Sequence, residues 1–170
     1  DAVIVGAGIP FEIPGILDGL SRCESVDLKL YVRDAKEGRA HTVSFNPKNV
    51  FDRIRPFLRL PFFFPIVSSA TLAALLVKKC KGRVDGLIIE GSSAGGHNAP
   101  PRGQTKRSPE GEPVYGPRDA IDLAAIESLG LPFWLAGSYG SPHKLIDACA
   151  IPATGIQAGT VFAFCEESGL

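Results

Sequence analysis

Residues 61–91 read PFFFPIVSSATLAALLVKKCKGRVDGLIIEG, and the order of patterns inside this stretch selects the architecture. PFFFPIVSS is apolar without alternation, the pattern of a strand buried on both faces rather than one with a wet side. SATLAALLVKKC then predicts a helix, with Ser69 as its N-cap and Gly82 as its stop. VDGLIIEG is a second continuous apolar strand. Two such strands joined by a helix make a βαβ unit, and βαβ units build parallel sheets.

The same alternation continues toward the C-terminus. RDAIDLAAIESLG predicts a helix with Ile121, Ala124, Ala125 and Leu129 on one stripe and Gly130 closing it. LPFWLAG predicts a strand. SYGSPHKLIDACA predicts a helix capped by Ser141, with Pro142 in the first turn, where a missing N–H is harmless. GIQAGTVFAF predicts a strand running into a helix. Toward the N-terminus, AVIV at 2–5 is a short buried strand, followed by a weak helix from about Pro14 to Ser21. LKLYVR and HTVSF alternate on either side of DAKEGRA, which predicts a hairpin over 27–46 with one buried face, inserted between the larger units.

The bulk numbers narrow the function classes. The chain of 170 residues is 45% apolar and 21% charged, with 18 basic against 18 acidic residues, an ordinary globular balance. Zero net charge supplies no electrostatic drive toward nucleic acid or an anionic membrane. The apolar run from Leu58 to Val67 contains Arg59, Pro61 and Pro65 and falls short of the ~20 apolar residues a bilayer helix needs. No basic n-region of a secretory signal is visible. Cys23, Cys80, Cys149 and Cys165 lack CxxC spacing and read as reduced, mostly buried thiols of a cytoplasmic protein, with no metal site. The absence of methionine, and a first residue already inside a strand-like run, lead us to expect an internal piece of a longer protein.

A parallel α/β sheet is either open and doubly wound or closed. No GxGxxG fingerprint sits on a strand-to-helix turn, which counts against a dinucleotide fold. Every glycine-rich segment instead follows a strand: GAG, EGSSAGGH, AGSYG and QAGT. In a (β/α)8 barrel those strand ends form the ligand rim. A full barrel takes roughly 250 residues. The expectation is therefore an α/β fold, a partial (β/α)8 TIM barrel of parallel strands with an inserted β-hairpin, forming a single domain over 1–170.

Several residues could carry chemistry. Glu90 ends a strand, and Gly95 and Gly96 let a ligand approach the backbone. His97 at the same mouth has a ring suited to proton transfer near neutrality, or is a solvated turn residue; local sequence leaves both open. Gly137 and Ser138 follow one strand, and Gln157, Ala158, Gly159 and Thr160 the next, so exposed backbone N–H groups could cradle a phosphate. His143 and His41 read as surface or structural residues. Arg102, Lys106 and Arg107 form a basic stretch that is either solvated or a lid meeting an anion. Asp119 and Asp122 read as helix N-terminal carboxylates.

EGSSAGGH after a strand, then WLAGS, then GIQAGT, in this order and spacing, resembles the nitronate monooxygenase family, formerly 2-nitropropane dioxygenases, which also includes flavin-dependent enoyl reductases. The resemblance spans about Pro65 to Gly169. It implies an FMN-binding TIM barrel lacking here its first flavin-contacting and last closing strands. By position it places Glu90 and Gly95, with Gly96, beside the flavin. Gly137, Ser138, Gln157, Ala158, Gly159 and Thr160 would hold the phosphate, and His97 would be the catalytic base. Ser138 stands where the family usually has a second glycine. The implied activity is FMN-dependent oxidation of a nitronate or nitroalkane with dioxygen, with no nucleic-acid or membrane partner and a homodimer left open. Two alternatives stand beside it: an NAD(P)H-dependent flavin reductase of enoyl thioesters or quinones, and a catalytically inactive flavin-binding barrel.

Overall fold

The computed structural model describes residues 1–6, 8–30, 41–51, 58–95 and 98–169. Its centre is a five-stranded sheet built from β1 (Ala2–Val5), β4 (Phe62–Val67), β5 (Leu87–Glu90), β8 (Phe133–Ala136) and β9 (Gly155–Gln157). Every neighbouring pair is parallel, and each strand pairs with the next of the five along the chain. The order never reverses, so the sheet lacks the switch point that defines a doubly wound fold. With crossovers of one hand, a sequential order places the helices on one face.

That face holds the core. Val67, Leu87, Ile89, Phe133 and Leu135 point toward Ala73 and Leu76 of α2 (Ala70–Lys79), Ile126 of α3 (Leu123–Glu127) and Ala148 of α4 (Pro142–Cys149). α2 starts as its sequence predicts, with the Ser69 hydroxyl accepting from the Leu72 N–H at 3.1 Å. α4 likewise starts at Ser141, which caps Lys144 N.

The opposite face carries a layer of large side chains. Ile66, Ile88, Trp134 and Gly155 share one row of the register. The Trp134 ring lies across two glycines: a Cβ at Gly86 would sit 2.9 Å from it, and one at Gly155 3.0 Å. Phe64 packs on the same indole with centroids 4.8 Å apart. One row nearer the strand ends, Glu90 and Gln157 flank the small Ala136. This row forms the floor of the site.

Some expectations need correction. The hairpin exists, as β2 (Val26–Leu30) against β3 (His41–Phe45), but its apolar face is not buried: Val43 is 52% and Phe45 46% exposed. Among the described residues it packs chiefly against α1 (Ile13–Ser21), which leaves its outer side chains uncovered. Its connecting turn, and Tyr31 to Arg33 of the predicted strand, lie outside the described residues. The third predicted helix is shorter than its apolar stripe. A 3-10 turn at Pro117–Asp119 precedes it, and α3 begins only after Asp122, whose carboxylate caps Ala125 N. Asp119 is an N-terminal carboxylate of this 3-10 turn rather than of α3, closing a capping box on Gly116 N and also accepting from Arg102 N in the preceding loop. No disulfide joins the cysteines, but only Cys23 is buried; Cys80 and Cys165 are partly exposed and Cys149 is exposed. No helix among the described residues is long and apolar enough to cross a membrane.

Candidate functional site

A cavity of about 720 Å3 opens at the C-terminal ends of β4, β5, β8 and β9. Parallel strands all deliver their following loops to one end, so a sheet of this order brings loops far apart in sequence onto one rim. Glu90, Gly95, Gly137, Ser138, Gln157, Ala158, Gly159 and Thr160 all line this cavity. Gly96 and His97 lie outside the described residues.

Three loops meet there through contacts the sequence did not advertise. Gly91 N donates to Ala136 O at 3.1 Å, extending the β5–β8 ladder past the strand ends. The Ser138 hydroxyl donates to Ser93 O at 2.9 Å, while the Ser93 hydroxyl donates to Gly137 O at 3.3 Å, a reciprocal clasp between the two loops. Gly137 has φ +99°, and Ser138 follows at φ +62°, an uncommon conformation for a residue with a Cβ. The Ser138 hydroxyl, through its bond to Ser93 O, ties this left-handed turn down. The β5 loop also reaches the start of α5 (Thr160–Ala163): a Cβ on Gly95 would lie 2.9 Å from Thr160 Oγ1.

The polar inventory is specific. Among the described residues, the N–H groups of Ser138, Tyr139, Gly140 and Gly159 donate no hydrogen bond. Backbone donors left unpaired at a cavity wall are available to a ligand. The walls between are apolar, formed by Ile66, Ala136, Val161 and Phe164. Tyr139, Ser93 and Ser141 also line the site and were not among the sequence candidates. Serine and tyrosine in a turn carry no signal without knowing which loops face each other.

The basic stretch does not join this cavity. Arg102 donates to Ser68 O at 3.0 Å and to Arg118 O, which pins it to backbone beside a smaller, separate hollow. Arg107 donates to Gly111 O at 2.6 Å within the exposed hairpin of β6 (Lys106–Arg107) and β7 (Pro113–Val114). His41 and His143 are exposed on β3 and α4. Asp119 accepts from Gly116 N and Arg102 N, both at 2.7 Å, and these backbone donors hold its carboxyl below the usual carboxylate range. Its role is to fold the long β5–α3 loop back on itself.

No family model, no curated protein and no solved structure matches this chain.

Proposed function

We propose that the five-stranded sheet is an arc of a (β/α)8 barrel and that its rim cavity holds FMN for the oxidation of nitronates or nitroalkanes by dioxygen. One observation carries the reading: three strand-end loops, each singled out by its glycines, converge on a single cavity with unpaired backbone donors at one end and apolar walls in the middle. A volume of about 720 Å3 is in the range that encloses a cofactor-sized ligand.

The residues fit the group in two respects. The Ser138, Gly140 and Gly159 N–H groups suit a phosphate tail, and no Cβ at Gly95 or Gly159 fills the space a ligand would enter. Ala136, between Glu90 and Gln157, leaves a shallow floor on which a flat ring can rest, over the Trp134 layer. When bound, FMN supplies an electron acceptor for the substrate carbon and a donor to dioxygen. The chain itself would orient the ring by backbone contact, line it with the apolar side chains of Ile66, Val161 and Phe164, and offer Glu90 and Gln157 as polar contacts. The sequence-based expectation for His97 is proton removal from the substrate carbon.

The test is an absorbance titration of the chain with FMN, followed by ethyl nitronate under air and, separately, by NADH without oxygen. The reading expects one flavin per chain and oxygen uptake with the nitronate. Reduction by NADH alone points instead to the reductase, and a bound flavin inert to both to a catalytically silent barrel. Failure to take up FMN overturns the proposal.

A further inference from the structure

A second cavity, of about 370 Å3, lies on the helix side of the same strand ends. Its floor is Ile89 and Leu135, neighbours in the β5–β8 register that belong to the hydrophobic core. Ile121, Leu123, Tyr115 and Tyr139 stand around it. Among the described lining residues it shares Ala136 and Tyr139 with the rim cavity, so the two hollows lie back to back across the loop that follows β8.

The late start of α3 opens this space. A helix begun at Asp119 would wind its first turn beside the floor, advancing only about 1.5 Å per residue. Instead Asp119 turns back to Gly116 N and Arg102 N, and Ala120 is extended at φ −60°, ψ 135°. Extended backbone advances about 3.3 Å per residue. The chain therefore reaches the Asp122 cap as a single thread rather than as a packed turn. The walls on either side are fixed. The Tyr115 hydroxyl donates to Ala99 O at 3.0 Å, and the Ser93–Ser138 clasp holds the loop that carries Tyr139.

The lining defines what fits. The aliphatic floor strips water from whatever rests on it, which disfavours a charged group. Tyr115 and Tyr139 favour an aromatic neighbour, through stacked or edge-on ring contacts. The Tyr115 hydroxyl has spent its proton on Ala99 O and keeps acceptor capacity for one ligand donor. An apolar cavity of about 150 Å3 takes a single benzene ring, so about 370 Å3 suits two fused rings. We infer that this second cavity is a binding site for an uncharged molecule of two fused aromatic rings bearing one hydroxyl or ring N–H. The inference goes beyond the flavin reading and stands apart from it, because Ile89, Leu135, Ile121, Leu123 and Tyr115 take no part in the proposed flavin site.

The probe is 2-naphthol, titrated into the flavin-free chain and followed by its own fluorescence anisotropy. One molecule per chain is expected to bind saturably. Methyl NMR of the native chain locates it: the Ile89, Ile121, Leu123 and Leu135 methyls should shift, and those of Ile66 and Val161, which line the rim cavity, should not. Ala120 is an exposed lining residue, so Ala120→Phe adds a ring to the cavity without removing a core contact, and is expected to weaken binding about tenfold. Circular dichroism checks that this variant is folded. Absence of saturable binding, methyl shifts centred on Ile66 and Val161, or unchanged affinity in folded Ala120→Phe overturns the inference. FMN uptake is measured separately, so either site can fail while the other holds.

Discussion

Replacing Gly137 by alanine tests the site's geometry at its tightest point, and two other glycines supply internal controls. Gly159 has φ −118° and open space where a Cβ would be, so Gly159→Ala meets neither strain nor contact. It is expected to leave stability unchanged or to raise it by about 0.5 kcal/mol through the unfolded chain. Gly130 has φ +69° and also nothing within 4 Å, so Gly130→Ala isolates the left-handed backbone, at about 1 kcal/mol. Gly137 combines both penalties. Its φ of +99° lies beyond the left-handed well, and its Cβ would stand 3.2 Å from Ala94 N and 3.3 Å from Gly91 N and O. All three atoms are backbone and held by hydrogen bonds, Gly91 N to Ala136 O and Ala94 N to Gly91 O, so they cannot swing away as a side chain would. Strain of this kind costs about 1–3 kcal/mol, and with the contact we expect Gly137→Ala to lose about 3 kcal/mol. Urea unfolding followed by the single tryptophan reads all three variants on one scale. A Gly137→Ala loss within about 0.5 kcal/mol of Gly130→Ala would refute the close approach of the β5 and β8 loops, and with it the shared rim.

Three other outcomes follow from separate parts of the structure. Ile126 on α3 is 0% exposed and joins the core cluster, so Ile126→Ala is expected to cost about 3 kcal/mol in the same urea assay. Asp119 has its folded-state pKa lowered, so its contribution is present above its unfolded value of 3.8 and lost as pH falls through the folded one. Amide exchange at Gly116 and Arg102, compared at matched intrinsic rates, should therefore show protection falling on acidification below that value, and Asp119→Asn should abolish the pH dependence. Burial raises the Cys80 thiol pKa, and Cys149 is exposed. Iodoacetamide at mild alkaline pH should label Cys149 first and Cys80 and Cys23 last, read by peptide mass.

How far the sequence could be read depended on the range of the interaction involved. The βαβ rhythm was legible because continuous apolar runs such as Leu87–Ile89 and capping residues such as Ser69 and Ser141 act locally. The glycine-rich strand ends were legible for the same reason, and three of them meet at one cavity. The depth of α3 was not legible: Ile121 to Leu129 keep a helical stripe, yet Asp119 is recruited by Arg102, seventeen positions away, and the helix starts late. The hairpin misled in another way. Alternation in Leu28, Leu30, Val43 and Phe45 specifies an apolar face but not a surface to cover it. Ser93 and Tyr139 became visible only when the loops after β5 and β8 were seen side by side.

The sequential order of the sheet also shapes its behaviour in concentrated solution. Among the described residues β1 and β9 each have a strand on one side only, so the ladder ends in two rows of unsatisfied amides and carbonyls of matching polarity. Head-to-tail stacking of such ends does not close on itself, because the β9 end of one molecule meets the β1 end of the next and leaves the same pair of ends exposed. Growth of this kind is templated and seedable. A short strand-mimicking peptide that occupies either row would terminate it, much as a cap ends a polymer.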